Sequence, residues 1–191
     1  MERENINIPL VLINLMDLDK CIIERRSIRK YKSKKVEEEK LTSLIDAARH
    51  APNAGNVQDW KFIIVKDKSK KELISKICSN QVWMNQAPIF IVVCSEIKDL
   101  KRTFGKQCDN YAKQNCSAAV QNILLKATDL ELGSCWIGGF KEKDIRSILK
   151  IPENDSVKVE AIITIGYPDE EGSFDRYPLK NFIYYDEWLT T

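Results

Sequence analysis

The chain has 191 residues, with 43% apolar and 30% charged residues and a formal net charge of +2. This composition excludes a disordered chain, and the length allows one domain with a substantial core. The near balance of 30 basic and 28 acidic residues argues against a broad nucleic-acid-binding surface, and no apolar run reaches the roughly 20 residues of a membrane helix.

The first half of the chain alternates helical and extended patterns. Its clearest element is an amphipathic helix in which Leu41, Leu44 and Ala48 recur at helical spacing, and Pro52 ends it. The predicted elements of this half are an N-terminal arm (1–15), a short helix (16–25), the amphipathic helix (37–51), a loop (52–56), a strand (60–65), a helix (68–78) and a buried strand (88–94).

The second half contains a long helical stretch that is apolar nearly all round, which indicates burial in a core or a subunit interface. Gly133 is the expected C-terminal cap of this helix. The predicted elements are an irregular or weakly helical segment over a pocket (98–106), the long helix (111–132), a turn with two glycines (134–140), a helix (141–149), a strand (157–165) and an aromatic C-terminal arm (175–191). About four strands among these helices predict a layered α/β or α+β domain.

The six cysteines form no Cys-x-x-Cys pair, and His50 is the only histidine. Zinc sites of the usual spacing are therefore not predicted, and we expect no metal. Reduced thiols are typical of the cytoplasm, which is the expected location. Cys108 and Cys116 are candidates for redox chemistry, although isolated cysteines more often fill a core.

A cluster of arginines at residues 25–31 is the first candidate site. Arg25, Arg26 and Arg29 place three guanidinium groups and the Ser27 hydroxyl within five residues. Arginine presents planar, permanently charged donors that fit a phosphate or a carboxylate with two parallel hydrogen bonds. The cluster alone is also compatible with a solvated basic face.

Three further features follow in order. They are the Pro-Asn-Ala-Gly-Asn loop followed by Gln58 and Trp60, the Trp-Ile-Gly-Gly-Phe turn at 136–140, and Arg176 before a Pro-Leu pair. This ordered set resembles the FMN-dependent nitroreductase family over residues 17–188. The resemblance implies a single α+β domain over 1–191 with three α/β/α layers and a central, mainly antiparallel sheet flanked by helices. It also implies an intertwined homodimer with two FMN sites at its interface, on which the C-terminal arm packs.

The resemblance assigns the cofactor contacts residue by residue. Arg25 and Arg176 would bind the FMN phosphate, and Ser27 would hydrogen-bond phosphate or ribityl oxygens. Arg29 matches a cation near the pyrimidine edge of the flavin, and Arg26 is counted among the cofactor-binding residues. The remaining matched positions are Pro52, Asn53, Ala54 and Asn56 on a loop from the other subunit, and Gly138 and Gly139 over the reactive face, where the Gly138 N–H would bond flavin N5.

The implied activity is that of an NAD(P)H-dependent flavin oxidoreductase. NADH or NADPH would donate a hydride to flavin N5, and a nitroaromatic, quinone or flavin would then accept electrons in a ping-pong cycle, with no catalytic side chain. The expected partners are a second copy of the chain and a small-molecule acceptor, with no nucleic acid and no membrane. An FMN-binding or storage protein with little turnover is the alternative.

The chain departs from the family pattern at two places in the loop. Asp59 stands where the family commonly has proline, between Gln58 and Trp60, and Asn53 stands where it often has serine. Asn53 keeps the ability to donate and accept hydrogen bonds. The charge of Asp59 puts the path of the loop in question.

Overall fold

A computed structural model describes residues 17–172 and 175–188. The predicted N-terminal arm (1–15) lies outside the described residues, as do the last three residues of the predicted C-terminal arm. Across the described ranges, no helix is long and apolar enough to cross a membrane.

Six α-helices and four strands make up the described part of the chain, joined by short 3-10 turns. The helices are α1 (Leu18–Glu24), α2 (Glu38–Arg49), α3 (Lys68–Ile77), α4 (Lys98–Phe104), α5 (Cys108–Asp129) and α6 (Glu142–Leu149). The strands are β1 (Trp60–Val65), β2 (Ile89–Glu96), β3 (Gly133–Ile137) and β4 (Val157–Gly166).

The four strands form one antiparallel sheet in the order β1-β2-β4-β3. The two central strands are almost wholly buried, which explains why their sequences are continuous apolar runs. Because β3 runs opposite to β1, the chain leaves β3 in the direction of the sheet end at which β1 begins. These two strands are the opposite edges of the sheet, about 14 Å apart at three strand spacings.

Helices cover both faces of the sheet. On one face, Ile91 and Val93 of β2 belong to a core that includes the buried sides of α2 and α5. On the other face, Phe90 and Val92 belong to a second core with residues of α3 and α6. Alternate residues of a strand point to opposite faces, so one apolar run supplies both cores. The predicted three-layer α/β/α arrangement is confirmed.

For residues 98–106, which were predicted to be irregular or weakly helical, the helical alternative is correct: Leu100 is fully buried on α4, and a 3-10 turn at Gly105–Gln107 follows. Two other local predictions were wrong. Gly133 does not cap the long helix, which ends at Asp129 with Leu130 at the cap. It instead opens β3, which occupies most of the segment predicted as a turn. A five-residue strand that begins at a glycine and is followed by two more has the sequence pattern of a turn, and only its pairing with β4 reveals it.

Described residues of the C-terminal arm (175–188) form one short 3-10 turn and leave large apolar side chains in solvent. Tyr185 is 81% exposed and Trp188 is 77% exposed, and Tyr184 stacks on Trp188 with ring centroids 4.2 Å apart. Exposed apolar surface of this kind is typical of a protein–protein contact.

Candidate functional site

An extended segment at residues 27–31 runs beside the outer edge of β3. Ser27 forms a parallel bridge to Ser134, and the Ile28 N–H donates to the Ser134 carbonyl oxygen at 2.9 Å. Ile28 and Tyr31 are buried, and the Tyr31 hydroxyl bonds the Ile28 carbonyl oxygen at 2.7 Å and Thr164 Oγ1 at 2.8 Å. These anchors fix the backbone of the arginine cluster, while Arg29 itself stays exposed.

Gly133 allows this close approach of the segment to β3. A Cβ at that position would lie 2.9–3.0 Å from three side-chain atoms of Ile28, closer than packed atoms allow. The glycine therefore serves packing, and it determines how near the arginine cluster comes to the sheet.

Two of the predicted phosphate ligands, Arg25 and Ser27, act on the Cys135 thiol, and the third, Arg176, acts on Arg25. Burial raises the pKa of the Cys135 thiol, while the charges of Arg29 and Arg25 and a hydrogen bond with Ser27 act to lower that pKa. Partial burial lowers the pKa of Arg25, and the charge of Arg176 lowers it further. Arg25, Ser27, Arg29 and Arg176 therefore lie close enough to act on one another or on this thiol, although Arg176 is distant in sequence.

The guanidinium groups of this cluster form no ion pair within the described ranges. Neither Arg25, Arg29 nor Arg176 forms a salt bridge with a carboxylate there. The nearby carboxylate of Glu170 accepts hydrogen bonds from the backbone N–H groups of Arg29, at 2.5 Å, and Lys30, at 3.1 Å. Like charges brought together without an ion pair disfavour each other, so an anion bound among them would be stabilised.

Arg26 is separated from this group. Its guanidinium donates to the carbonyl oxygens of Ile23 and Arg25 at the end of α1, and its side chain packs against Gly172, where a Cβ would lie 2.6 Å away. A cation at a helix C-terminus bonds carbonyl groups that the helix leaves unpaired. The geometry gives Arg26 a capping role, and we do not include it in the site proposed below.

The glycine turn follows β3 and is open. A Cβ on Gly138 would meet no described atom within 4 Å, and one on Gly139 would meet only Ser79 Oγ at 3.9 Å. Gly139 also lines a groove of about 710 Å³ with Ser79, Asn80 and other residues. Backbone groups at this turn are therefore accessible to a flat ligand.

The loop at 52–58 precedes β1, which is the sheet edge opposite β3 and the glycine turn that follows it. Its centre is a 3-10 turn at Ala54–Asn56. The Gln58 N–H donates to Asn53 Oδ1 at 2.9 Å, and the Ala54 N–H donates to Asn115 Oδ1 at 2.9 Å. The side chain of Asn56 accepts from Gln58 at 3.3 Å, and Pro52 is exposed. Within one chain, the loop does not join the arginine cluster.

The sequence left open how the charge of Asp59 is accommodated next to this loop. Its side chain is 2% exposed, and Oδ1 accepts a hydrogen bond from Asn115 Nδ2 at 2.6 Å. The residue is therefore part of the loop's internal anchoring and does not disturb its path.

Sequence reasoning missed three neighbours of the cluster. The Cys135 thiol is close enough for the charges of Arg25 and Arg29 to act on it. Glu170 accepts hydrogen bonds from the backbone N–H groups of Arg29 and Lys30. The Arg29 guanidinium lies 5.9 Å from the centroid of the Trp83 ring. The alternation of β3 would have placed Cys135 once the strand was recognised. No local pattern marks Trp83 or Glu170, because only tertiary folding brings them to the cluster.

All six cysteines are free and buried. Burial raises the pKa of Cys78 to about 11 and that of Cys94 to about 12. Burial also raises the pKa of Cys116, and the charge of Asp59 adds to that effect. Because the thiolate is the reactive form, these three side chains are suited to packing. The candidate chemistry therefore does not involve them.

The donor set fits a phosphate monoester attached to a flat ring system. Guanidinium groups and a hydroxyl are the usual partners of phosphate oxygens, and they lie here without a competing salt bridge in the described ranges. The open backbone at Gly138 leaves room for a ring. These two observations show that the residues fit FMN.

Comparison with known proteins gives consistent matches along the chain. The family model described as "Nitroreductase family" matches residues 22–109 and 78–167. A protein of Archaeoglobus fulgidus with the provisional name NADH dehydrogenase/NAD(P)H nitroreductase is 37% identical over 159 residues, covering 81% of this chain and 87% of the relative. The FMN reductase [NAD(P)H] of Bacillus subtilis is 32% identical over 110 residues, covering 58% of this chain and 43% of that protein. The crystal structure of a nitroreductase family protein from Clostridium novyi NT superposes with a TM-score of 0.72 at 29% identity, covering 83% of this chain and 89% of that one.

Proposed function

Because the chain belongs to the nitroreductase family and is an oxidoreductase, we propose that it is an FMN-dependent NAD(P)H oxidoreductase with ping-pong hydride transfer to a nitroaromatic, quinone or flavin acceptor. The observation that carries the proposal is the convergence of Arg25, Ser27, Arg29 and Arg176 with no salt bridge to a described carboxylate. The names of the relatives, NAD(P)H nitroreductase and FMN reductase, support the same chemistry.

The proposed roles follow from the chemistry of the side chains. Arg25, Arg176 and Ser27 bind the phosphate, and the Arg29 charge favours negative charge at the pyrimidine edge of the ring. The Gly138 N–H would donate a hydrogen bond to flavin N5, and the open space around the Gly138 Cα, where a Cβ would meet no described atom within 4 Å, supports this role. Bound FMN supplies reversible hydride acceptance at N5, so the protein itself needs only to bind and orient.

We further propose that the active unit is a homodimer of single-domain chains. In one chain, Asn53 and Ala54 lie on the sheet edge opposite the arginine cluster, so they reach FMN only from a partner. The exposed aromatic side chains of the C-terminal arm, such as Tyr185 and Trp188, supply apolar surface for the same interface.

The visible spectrum of the purified protein tests the proposal. We expect a yellow protein, or one that turns yellow with added FMN, whose flavin absorbance bleaches under anaerobic NADH or NADPH. Subsequent addition of a nitroaromatic or a quinone should restore the absorbance, and initial rates should give the parallel double-reciprocal lines of a ping-pong cycle.

Two results would contradict the proposal in different ways. A yellow protein that neither nicotinamide bleaches would favour the storage alternative. A protein that retains no FMN at micromolar concentrations would remove the flavin site itself.

A further inference from the structure

Asp59 is a buried acid that the proposed reaction does not use. It lies between the loop at 52–58, called the flavin loop from here on, and β1; it is 2% exposed and bonds Asn115 through Oδ1. Its second oxygen, Oδ2, is buried and has no hydrogen-bond partner among the described residues. A buried carboxyl group with one oxygen unpaired is costly, so its retention needs a reason.

The reason lies in the orientation of the Asn115 side chain. The Asn115 amide has one acceptor end and one donor end, and here the acceptor end receives the Ala54 N–H at 2.9 Å. This orientation requires an acceptor at the other end, and Asp59 Oδ1 supplies it at 2.6 Å. If the amide turned over, its N–H groups would face the Ala54 N–H, and one donor would be left unpaired.

We propose that Asp59 is a positioning residue that fixes the Asn115 amide and, through it, the backbone of the flavin loop at Ala54. The inference rests on the proposed function, in which this loop reaches FMN across the dimer interface. In this proposal Asp59 does not bind FMN itself. It acts on the loop through two successive hydrogen bonds, one from Asn115 to Asp59 and one from the Ala54 N–H to Asn115.

The surroundings of Asp59 show that an acceptor, and not a charge, is what the site uses. Burial raises the pKa of Asp59, whereas the bond from Asn115 and the charge of Lys61 on β1 lower it. Lys61 is engaged with Glu96 at 3.4 Å, and Glu160 on β4 and Cys116 on α5 share this region. No described cation forms a salt bridge with the carboxyl group.

Three variants of the full-length dimer test the proposal through the FMN dissociation constant, measured by fluorescence titration. Asp59→Ala removes the acceptor, and we expect FMN to bind about tenfold more weakly, the effect of losing one hydrogen bond at the loop. Asn115→Ala removes the bond to Ala54 directly and should produce a similar loss. Asp59→Asn still presents an oxygen to Asn115, so it should restore an affinity within about twofold of the wild type.

Ser95→Ala is the matched control. Ser95 is fully buried on β2 and donates to Glu160 at 2.7 Å, so its loss disturbs a nearby half-buried carboxyl group outside the loop. The exchange rate of the Ala54 amide hydrogen should rise in Asp59→Ala and Asn115→Ala but not in Ser95→Ala or Asp59→Asn.

The outcomes separate this inference from the proposed function. A wild-type protein that binds no FMN would overturn the proposed function and this inference with it. A wild type that binds FMN, with Asp59→Ala unchanged or Asp59→Asn as weak as Asp59→Ala, would overturn only the positioning role. An equal loss in Ser95→Ala would overturn it too, because a general packing defect would then be sufficient.

Discussion

Replacing Arg25 by alanine should have opposite effects on cofactor binding and on the stability of the apo protein. Arg25 is the residue after α1, and its backbone N–H bonds the Cys21 carbonyl oxygen, which alanine would preserve. Its guanidinium is partly buried beside the charges of Arg176 and Arg26, which together lower its pKa. The charged side chain is therefore disfavoured until an anion binds.

The loss in FMN affinity follows from one charge-assisted contact to phosphate. Such a hydrogen bond contributes about 1.5–3 kcal/mol, which corresponds to a dissociation constant about 10- to 150-fold higher in Arg25→Ala. Arg25→Lys keeps the charge but loses the two-pronged geometry, so its affinity for FMN should lie between that of the wild type and that of Arg25→Ala.

The stability of the apo protein should increase slightly in Arg25→Ala. A cation whose pKa is lowered by folding costs stability at neutral pH, so its removal stabilises the fold. The gain should be well under about 1 kcal/mol, because Arg25 is only partly buried and solvent screens its neighbours. Added salt should stabilise the wild-type apo protein more than the variant, since the screening length falls to about 8 Å at physiological ionic strength.

The assays are FMN titration and urea unfolding of the apo protein at two salt concentrations. Lys66→Ala serves as the control, because Lys66 pairs with Glu38 at 2.5 Å just after β1, far from the cluster, and should leave FMN binding unchanged. An Arg25→Ala protein that keeps its FMN through dialysis would show that Arg25 does not serve the cofactor. A loss of more than about 1 kcal/mol of apo stability would show that Arg25 helps to hold the fold together, contrary to the expected gain.

Three further predictions concern packing, pH and assembly. Gly133→Ala should lower stability by about 1–3 kcal/mol in thermal unfolding because its Cβ meets Ile28, whereas Gly138→Ala should leave apo stability unchanged and weaken FMN binding. Because the pKa of Asp59 is raised by folding, its burial should cost stability increasingly as pH rises above about 4, so the advantage of Asp59→Asn in urea unfolding should grow with pH and vanish in acid. Sedimentation should show FMN only on the dimer, and a flavin-loaded monomer would contradict the shared site.

Elements with a strong local pattern were predicted well from the sequence. The strand at Trp60–Val65 has the predicted bounds, and α2 at Glu38–Arg49 lies within the predicted range of 37–51, because hydrophobic periodicity and flanking turn residues specify them locally. The sequence left α4 open between helix and irregular structure, and it missed β3. Burial of Leu100 stabilises the first element, and pairing with β4 defines the second, and neither contact is visible in a short stretch of sequence.

The same distinction between local pattern and long-range contact applies to the candidate site. By itself, the sequence determined which side chains were available: guanidinium groups near Ser27, a glycine pair after a short apolar segment, and Arg176 near the end. Only the tertiary structure decided that Arg25 and Arg176 act on each other, that Arg26 closes a helix, and that the flavin loop lies on the opposite edge of the sheet. Side-chain chemistry is a property of each residue, but convergence of charges depends on long-range packing, which sequence neighbours do not encode.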